Sequence, residues 1–314
     1  MTIVNADNFA RAESDLMFSR MLADSGGLGR WVHYRVPAPL DHQPIIRLNR
    51  DTLYSQTVVN LTQGAQLVVP DSGDRYMSVM VVTRDHYVPA IIHAPGTVDL
   101  DAAELDTDYA MLGVRILVDP ADPDDVAAVN ALQDELEVRA ASNEPFPEPQ
   151  YDAATQTHTR QALLDLSTGL PDYRRAFGRR SEVDAVRHLI GSASAWGGLP
   201  EYEAHYVNVN PGLPVGEYRM RLADVPVDAF WSVSLYNAQG YFEPNPLGVN
   251  NINSLTAAPE ADGSVIVHFG VDPGDKRNFL YVMDGWNFLL RMYRPRPEVL
   301  DGRWSVPRVE ALPS

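Results

Sequence analysis

Asn49, Arg50, Asp51 and Tyr54 stand within six positions in RLNRDTLYS, between apolar runs that otherwise read as a core strand. An arginine fork can hold a substrate carboxylate or carbonyl oxygen, and a neighbouring carboxylate or phenol can move or orient a proton. This pattern predicts Arg50 as an electrostatic clamp beside Asn49, with Asp51 and Tyr54 handling protons. The same groups also suit a structural role, in which Arg50 and Asp51 pair at the strand entry and Tyr54 bonds a backbone carbonyl.

A second cluster, TRDHYVPAIIH, brings Asp85, His86 and Tyr87 to the end of a strongly apolar strand. Imidazole titrates near neutral pH, so His86 is a candidate acid or base that Asp85 could orient, with Asp85 and Tyr87 at the substrate. His86 and His93 could converge only if Pro89 breaks the strand. In WGGLPEYEAHY, Glu201, Glu203 and His205 share one face of an extended segment; they read as a solvated loop or a divalent-cation contact, and no metal site is assigned. YNAQGYFEPNPLGVNNINS supplies Tyr236 and Asn245, which fit either turns or recognition of a polar ligand. GSASAWGG lacks the flanking glycines of a nucleophile elbow and reads as a helix exit with small-residue packing.

These groups need a frame. Phe9, Leu16, Met17 and Met21 recur at helical intervals over residues 5–24, and Gly26-Gly27 gives a stop. VVNL, QLVV, YMSVMVVT, YVPAIIH and YAMLGVRILVDP read as strands, YMSVMVV with both faces covered. VAAVNALQDELEVRAA predicts an amphipathic helix, and NEPFPEPQY, at residues 143–151, a linker. HTRQALLDLSTGL and SEVDAVRHLIGSASAW predict helices, the second capped by Ser181 with Asp184. EYRMRL, FWSVSLYN, ADGSVIVHF and NFLLRMY are strands again, with Asp262-Gly263 as a turn. The expected fold is mainly β with helical segments, α+β in class: an N-terminal α+β domain over 1–142, a linker and helical segment over 143–205, and an antiparallel β-sandwich over 206–314.

A net charge of −17 argues against nucleic acid or an anionic membrane as partner. Lys276 is the single lysine among 25 basic residues, a bias that fits a GC-rich genome. The absence of cysteine removes disulfides, thiolate zinc sites and cysteine nucleophiles. Neither HExxH nor a glycine-rich phosphate loop is present, and no cofactor is expected. The first residues lack a basic stretch followed by an apolar run, so a cytoplasmic protein without a leader is expected.

RLNRDTLYS, RYMSVMVVTRDHY and RILVDPADPDD in the first half, with VDAVRHLIGSASAWGGLPE, DVPVDAFWSVSLYNAQGYFEPNP, ADGSVIVHF and GWNFLLRMYRPRPEVLDGRW in the second, resemble a bacterial family of paired domains of unknown function. The resemblance implies a mixed N-terminal region joined to a sandwich of jelly-roll type. Relatives carry labels such as exported protein or carboxylesterase, many begin with a signal segment, and many have WGGNP where this chain has Leu199. Two functions compete. One is a cofactor-independent hydrolase or lyase acting on a small polar or carbonyl-bearing metabolite, with Arg50, Asp51, Tyr54 and His86 as its machinery. The other is a carbohydrate or polar-polymer binding module using Trp231, Tyr236, Tyr241 and Trp286. A structural envelope or assembly protein, and a homo-oligomer, stay open.

Overall fold

The structure, a computed structural model, describes residues 1–43, 45–148 and 150–312. The chain forms two compact units: unit 1 takes residues 1–35, 54–117 and 128–201, and unit 2 takes 36–53, 118–127 and everything from 202 on. Most of the segment expected as linker and helices thus falls in unit 1; Pro149 lies outside the described residues.

Unit 1 holds α1 (Phe9–Ser25), β1 (Val32–Tyr34), β2 (Thr52–Asn60, from Tyr54 on), β3 (Ala65–Val69), β4 (Met77–Thr83), β5 (Ala90–Ile92), β6 (Gly96–Leu100), α2 (Ala102–Leu105), β7 (Tyr109–Leu117), α3 (Pro123–Asp134, from Ala128 on), β8 (Glu137–Ala140), α4 (Ala153–Ser167) and α5 (Ala185–Ser194). A five-stranded sheet runs β1-β2-β7-β4-β5 and a three-stranded one β6-β3-β8. All seven residues of β4 are buried, as its unbroken apolar run requires. In the β4/β7 ladder Met80 stands opposite Gly113, and Ser78 opposite Arg115. Because strand side chains alternate, Met111, Gly113 and Arg115 share one face.

Helix α1 ends where Gly26 adopts a left-handed conformation and bonds back to Leu22. Glu13 and Asp15, which break its apolar pattern, are both buried. Glu13 receives the Arg160 guanidinium at 2.5 and 2.8 Å, and Asp15 receives Arg84 at 2.7 and 2.8 Å. These forked pairs tie α1 to α4 and to the end of β4. Two local expectations are corrected. The helix over VAAVNALQDELEVRAA stops at Asp134, because Glu137–Ala140 alternates and pairs with β3. The N-cap of α5 is Asp184, not Ser181: its carboxylate accepts from the Val186 and Arg187 amides.

Unit 2 contains β9 (Ala204–Val209), β10 (Tyr218–Leu222), β11 (Trp231–Tyr236), β12 (Asn251–Asn253), β13 (Val265–Gly270), β14 (Phe279–Tyr281), β15 (Asn287–Tyr293), α6 (Pro297–Leu300) and β16 (Glu310–Ala311). They form two four-stranded sheets, β14-β13-β10-β16 and β12-β11-β15-β9, antiparallel except for β13 with β14. Met220, Val267 and Phe269 from one sheet and Trp231, Val233, Phe288 and Leu290 from the other make the core between them. The strand β10 buries Tyr218, Met220 and Leu222 and exposes its two arginines. All six residues of β11 are buried, because Leu40 and Leu48 pack with Tyr236 and Leu289 on the face away from that core. The fold is α+β with mainly antiparallel, open sheets, two of them packed around the core of unit 2. Among the described residues no helix is long and apolar enough to cross a membrane.

Candidate functional site

Asp51 belongs to unit 2 and is fully buried there. Register brings Asn253, Ser232 and Arg291 into one row across β12, β11 and β15, with Asn251 beside Ser234 in the next. Onto this polar face Asp51 sets its carboxylate, which accepts from Ser232 Oγ at 2.6 Å, Asn251 Nδ2 at 2.7 Å and, at 3.5 Å, Asn253 Nδ2. Arg291, also buried, donates to Ser234 Oγ, Tyr236 Oη and the carbonyls of Arg47 and Leu48, at 2.8 to 3.1 Å. Burial alone would lower the Arg291 pKa, but Tyr236, Tyr293 and the Asp51 charge outweigh it and hold the group charged. Burial conversely pushes the Tyr236 phenol up.

The other expected residues here are equally engaged. Asn49 donates to Thr52 Oγ1 and Tyr293 Oη and accepts from the Asp51 amide. Arg50 donates to the Ala38 carbonyl, and Asn245 closes a turn with Leu247 and Val249. The Asp51 carboxylate therefore meets three neutral donors instead of forming the expected ion pair with Arg50. Trp231, Tyr236 and Trp286 are at most 6% exposed, so the stacking row expected from them is core.

In unit 1 the Asp85-His86-Tyr87 cluster sits on a tight turn after β4, with His86 at φ 65°. This left-handed backbone sends the imidazole inward, where it is fully buried. Nε2 accepts from the Gly197 amide at 2.9 Å, so Nδ1 carries the proton and donates to Ser192 Oγ at 2.8 Å, and that hydroxyl donates on to the His188 carbonyl. Burial, reinforced by the neighbouring His188, pushes the His86 pKa well below 6.5 and keeps the ring neutral. His188 lies within hydrogen-bonding distance of two carbonyls, Ala176 at 3.1 Å and Asp85 at 3.0 Å. Tyr87 stacks on His188 with ring centroids 4.5 Å apart. The Asp85 carboxylate accepts from Arg11 at 2.6 and 2.7 Å; burial pushes its pKa up, but Arg11, with Arg180 and Arg84, outweighs it and lowers it.

His86 also stacks on Trp196, at 5.3 Å and 17°, so it holds both Trp196 and Gly197. These two residues form part of the wall of a cleft of about 220 Å³, lined besides by Met21, Tyr54, Ser55, Gln56, Met80, Met111, Gly113 and Arg115, all from unit 1. Gly113 lets the Met111 side chain lie close over the strand: a Cβ there would come within 3.1 Å of Met111 Sδ and 3.9 Å of Met80 Cε. The Arg115 guanidinium lies 5.4 Å over the Tyr54 ring and donates to the Gly197 carbonyl at 3.2 Å. Gly198 packs more tightly, since a Cβ would stand 2.4 Å from Phe177, which accounts for a small residue at that point of GSASAWGG.

Of the expected site residues of unit 1, Tyr54 lines this cleft, and His86 supports it from behind. Arg115, Gly113 and Trp196 were not singled out as site residues. The signal was a glycine and an arginine two residues apart in an otherwise apolar strand. Among the described residues no group of three or more His, Asp or Glu is arranged to hold a metal.

The structure of the VPA0106 protein from Vibrio parahaemolyticus superposes with a TM-score of 0.73 over 98% of this chain and 97% of its own, at 17% identity. That of an uncharacterised protein from Burkholderia cenocepacia gives 0.54 over 96% and 86%, at 14% identity. At such identities the likeness speaks for the fold. No curated protein sequence matches the chain. Residues 28–87 match the family described as protein of unknown function (DUF1254), and residues 212–297 the one described as protein of unknown function (DUF1214). The first match contains Asp51 and His86, and the second contains Ser232, Asn251, Asn253 and Arg291, so the Asp51 layer draws on both. The two matches, DUF1254 in the first half and DUF1214 in the second, fit the arrangement of a family of paired domains of unknown function.

Proposed function

We propose that the protein binds a small, largely apolar organic molecule in the unit 1 cleft. The observation that carries this reading is the cleft itself, walled by Met21, Met80, Met111, Gly113 and Trp196 and rimmed by a few polar groups. Concave, mainly apolar surfaces with a small number of placed polar groups are the usual form of ligand sites, and methionine adapts its shape to what it contacts. Binding is favoured over acid–base turnover because the proton-handling groups are used internally. The Asp51 carboxylate and both His86 nitrogens are engaged in hydrogen bonds, which leaves Tyr54 as the one of the three that lines the cleft.

Gly113→Val tests the reading. Gly113 does not have a left-handed backbone, and valine suits a strand, so the fold is expected to survive a modest overpacking cost of about 1–3 kcal/mol. The added methyls would push Met111 and crowd the cleft that both residues line. In a calorimetric screen of small aromatic and aliphatic molecules, ligands of the wild type are expected to lose about tenfold or more in affinity, roughly 1.4 kcal/mol. Equal affinity in a folded Gly113→Val protein would move the site elsewhere.

A further inference from the structure

We infer that the ligand of this cleft is an uncharged aromatic molecule, taken up against the thioethers of Met21, Met80 and Met111 and the Trp196 ring, an inference that rests on the cleft reading above. Three of the nine methionines of the chain meet at this one place, from α1, β4 and β7. Leucine would fill a similar volume, so apolarity alone does not call for sulfur. What a thioether adds is a polarisable contact with an aromatic ring, a factor of about two to ten in affinity per contact, and freedom to follow the edge of a flat molecule. Trp196 adds a ring of its own, fixed by stacking on His86 and by the bond from its Nε1 to Ser14 Oγ at 3.0 Å. Pairs of rings gain beyond the area they bury.

The polar groups of the rim argue against a charged ligand, because each is already engaged within the protein. Arg115 donates to the Gly197 carbonyl, lies over the Tyr54 ring and has a further interaction. Ser55 Oγ accepts from Gln133 Nε2 at 3.0 Å and pairs with His33 Nδ1 at 2.8 Å, and Gln56 donates to Tyr34 Oη at 3.2 Å. None of the described residues that line the cleft is acidic, so an ammonium would meet no counter-charge. A carboxylate would have to draw Arg115 away from its partners, and either ion would give up water for methionine and tryptophan surface. Volume sets the size. A cavity of about 150 Å³ accepts benzene, so one of about 220 Å³ takes on the order of nine non-hydrogen atoms by proportion. One ring with a short neutral substituent has that size.

Titration calorimetry of the full chain with benzyl alcohol, cyclohexylmethanol, benzoate and benzylamine, on the wild type and on the double variant Met80→Leu with Met111→Leu, tests the inference. The two alcohols have the same number of non-hydrogen atoms, and buried area alone predicts that the saturated one binds at least as well. Benzyl alcohol is instead expected to bind about fivefold or more tightly than cyclohexylmethanol, and about tenfold or more tightly than either ion. In the double variant the ratio between the alcohols should fall toward one. Equal or tighter binding of cyclohexylmethanol to the wild type, with both alcohols weakened by Gly113→Val, would overturn the aromatic ligand and leave the cleft reading standing. Tighter binding of benzoate or benzylamine than of benzyl alcohol would overturn the uncharged ligand, and an undiminished ratio in a folded double variant would overturn the thioether contacts. Failure of all four probes to bind would overturn both readings. Should the double variant not fold, the ratios of the wild type decide by themselves.

Discussion

Arg291→Met is expected to cost about 3–5 kcal/mol of stability, read as a fall in the urea midpoint, because it strands a buried carboxylate and several acceptors at once. Arg291 is 3% exposed and serves Ser234, Tyr236 and two backbone carbonyls, while Asp51 lies near enough to stabilise its charge. Methionine keeps much of the volume and removes the donors. Asp51→Asn is expected to be costly for the converse reason: an amide turns donors toward Ser232 or Asn251, which themselves donate. If the layer acts as one network, the double variant loses less than the sum of the singles. Additive losses, or a loss below about 1 kcal/mol for Arg291→Met, would show that the row across β12, β11 and β15 is not coupled.

His86→Asn is expected to lose about 3–5 kcal/mol and to flatten part of the pH dependence of stability. Asparagine tolerates the left-handed backbone at this position, so the loss reports the ring and its two hydrogen bonds, not the turn. The direction with pH follows from the depressed pKa. Between the folded value and the unfolded value near 6.5, the unfolded chain binds the proton that the buried ring refuses. Stability from this group is therefore whole above about pH 6.5 and declines as the pH falls from there toward the folded-state pKa. Protonating Nε2 would also release the Gly197 amide, so ligand affinity in the cleft should hold over that range and weaken only once the pH reaches the depressed folded-state pKa. His33, half-buried and also shifted downward by burial and Arg35, titrates in both proteins, and the difference between the two profiles isolates His86. Parallel profiles for wild type and His86→Asn would contradict this role.

Much of the frame was legible because it depends on local periodicity. The strand β10 alternates buried and exposed as its YRMRL pattern requires, and α1 stops at the glycine that can take a positive φ. Element boundaries failed where tertiary pairing overrode a local pattern, as at Glu137–Ala140, whose alternation only mattered once β3 lay alongside. The polar cluster at 49–54 was visible, but its meaning was not. The partners of Asp51 lie about two hundred residues away, and no local rule pairs a carboxylate with Ser232 and Asn251 instead of the adjacent arginine. His86 was visible as a titratable group, yet a left-handed φ decides whether its ring points to solvent or inward, and sequence alone left that open. The cleft was hardest to read because its wall gathers residues of α1, β2, β4, β7 and the segment after α5, which no local pattern links.

The most direct test of the cleft is the methyl NMR spectrum of protein carrying carbon-13 at the methionine methyls, titrated with benzyl alcohol and with cyclohexylmethanol. The chain has nine methionines, so the signals can be assigned by single Met→Leu variants. Either probe is expected to shift Met80, Met111 and Met21, while the core residues Met220 and Met292 stay unmoved. Shifts confined to methionines outside the cleft, or none at all with both probes at saturating concentration, would contradict a ligand site there.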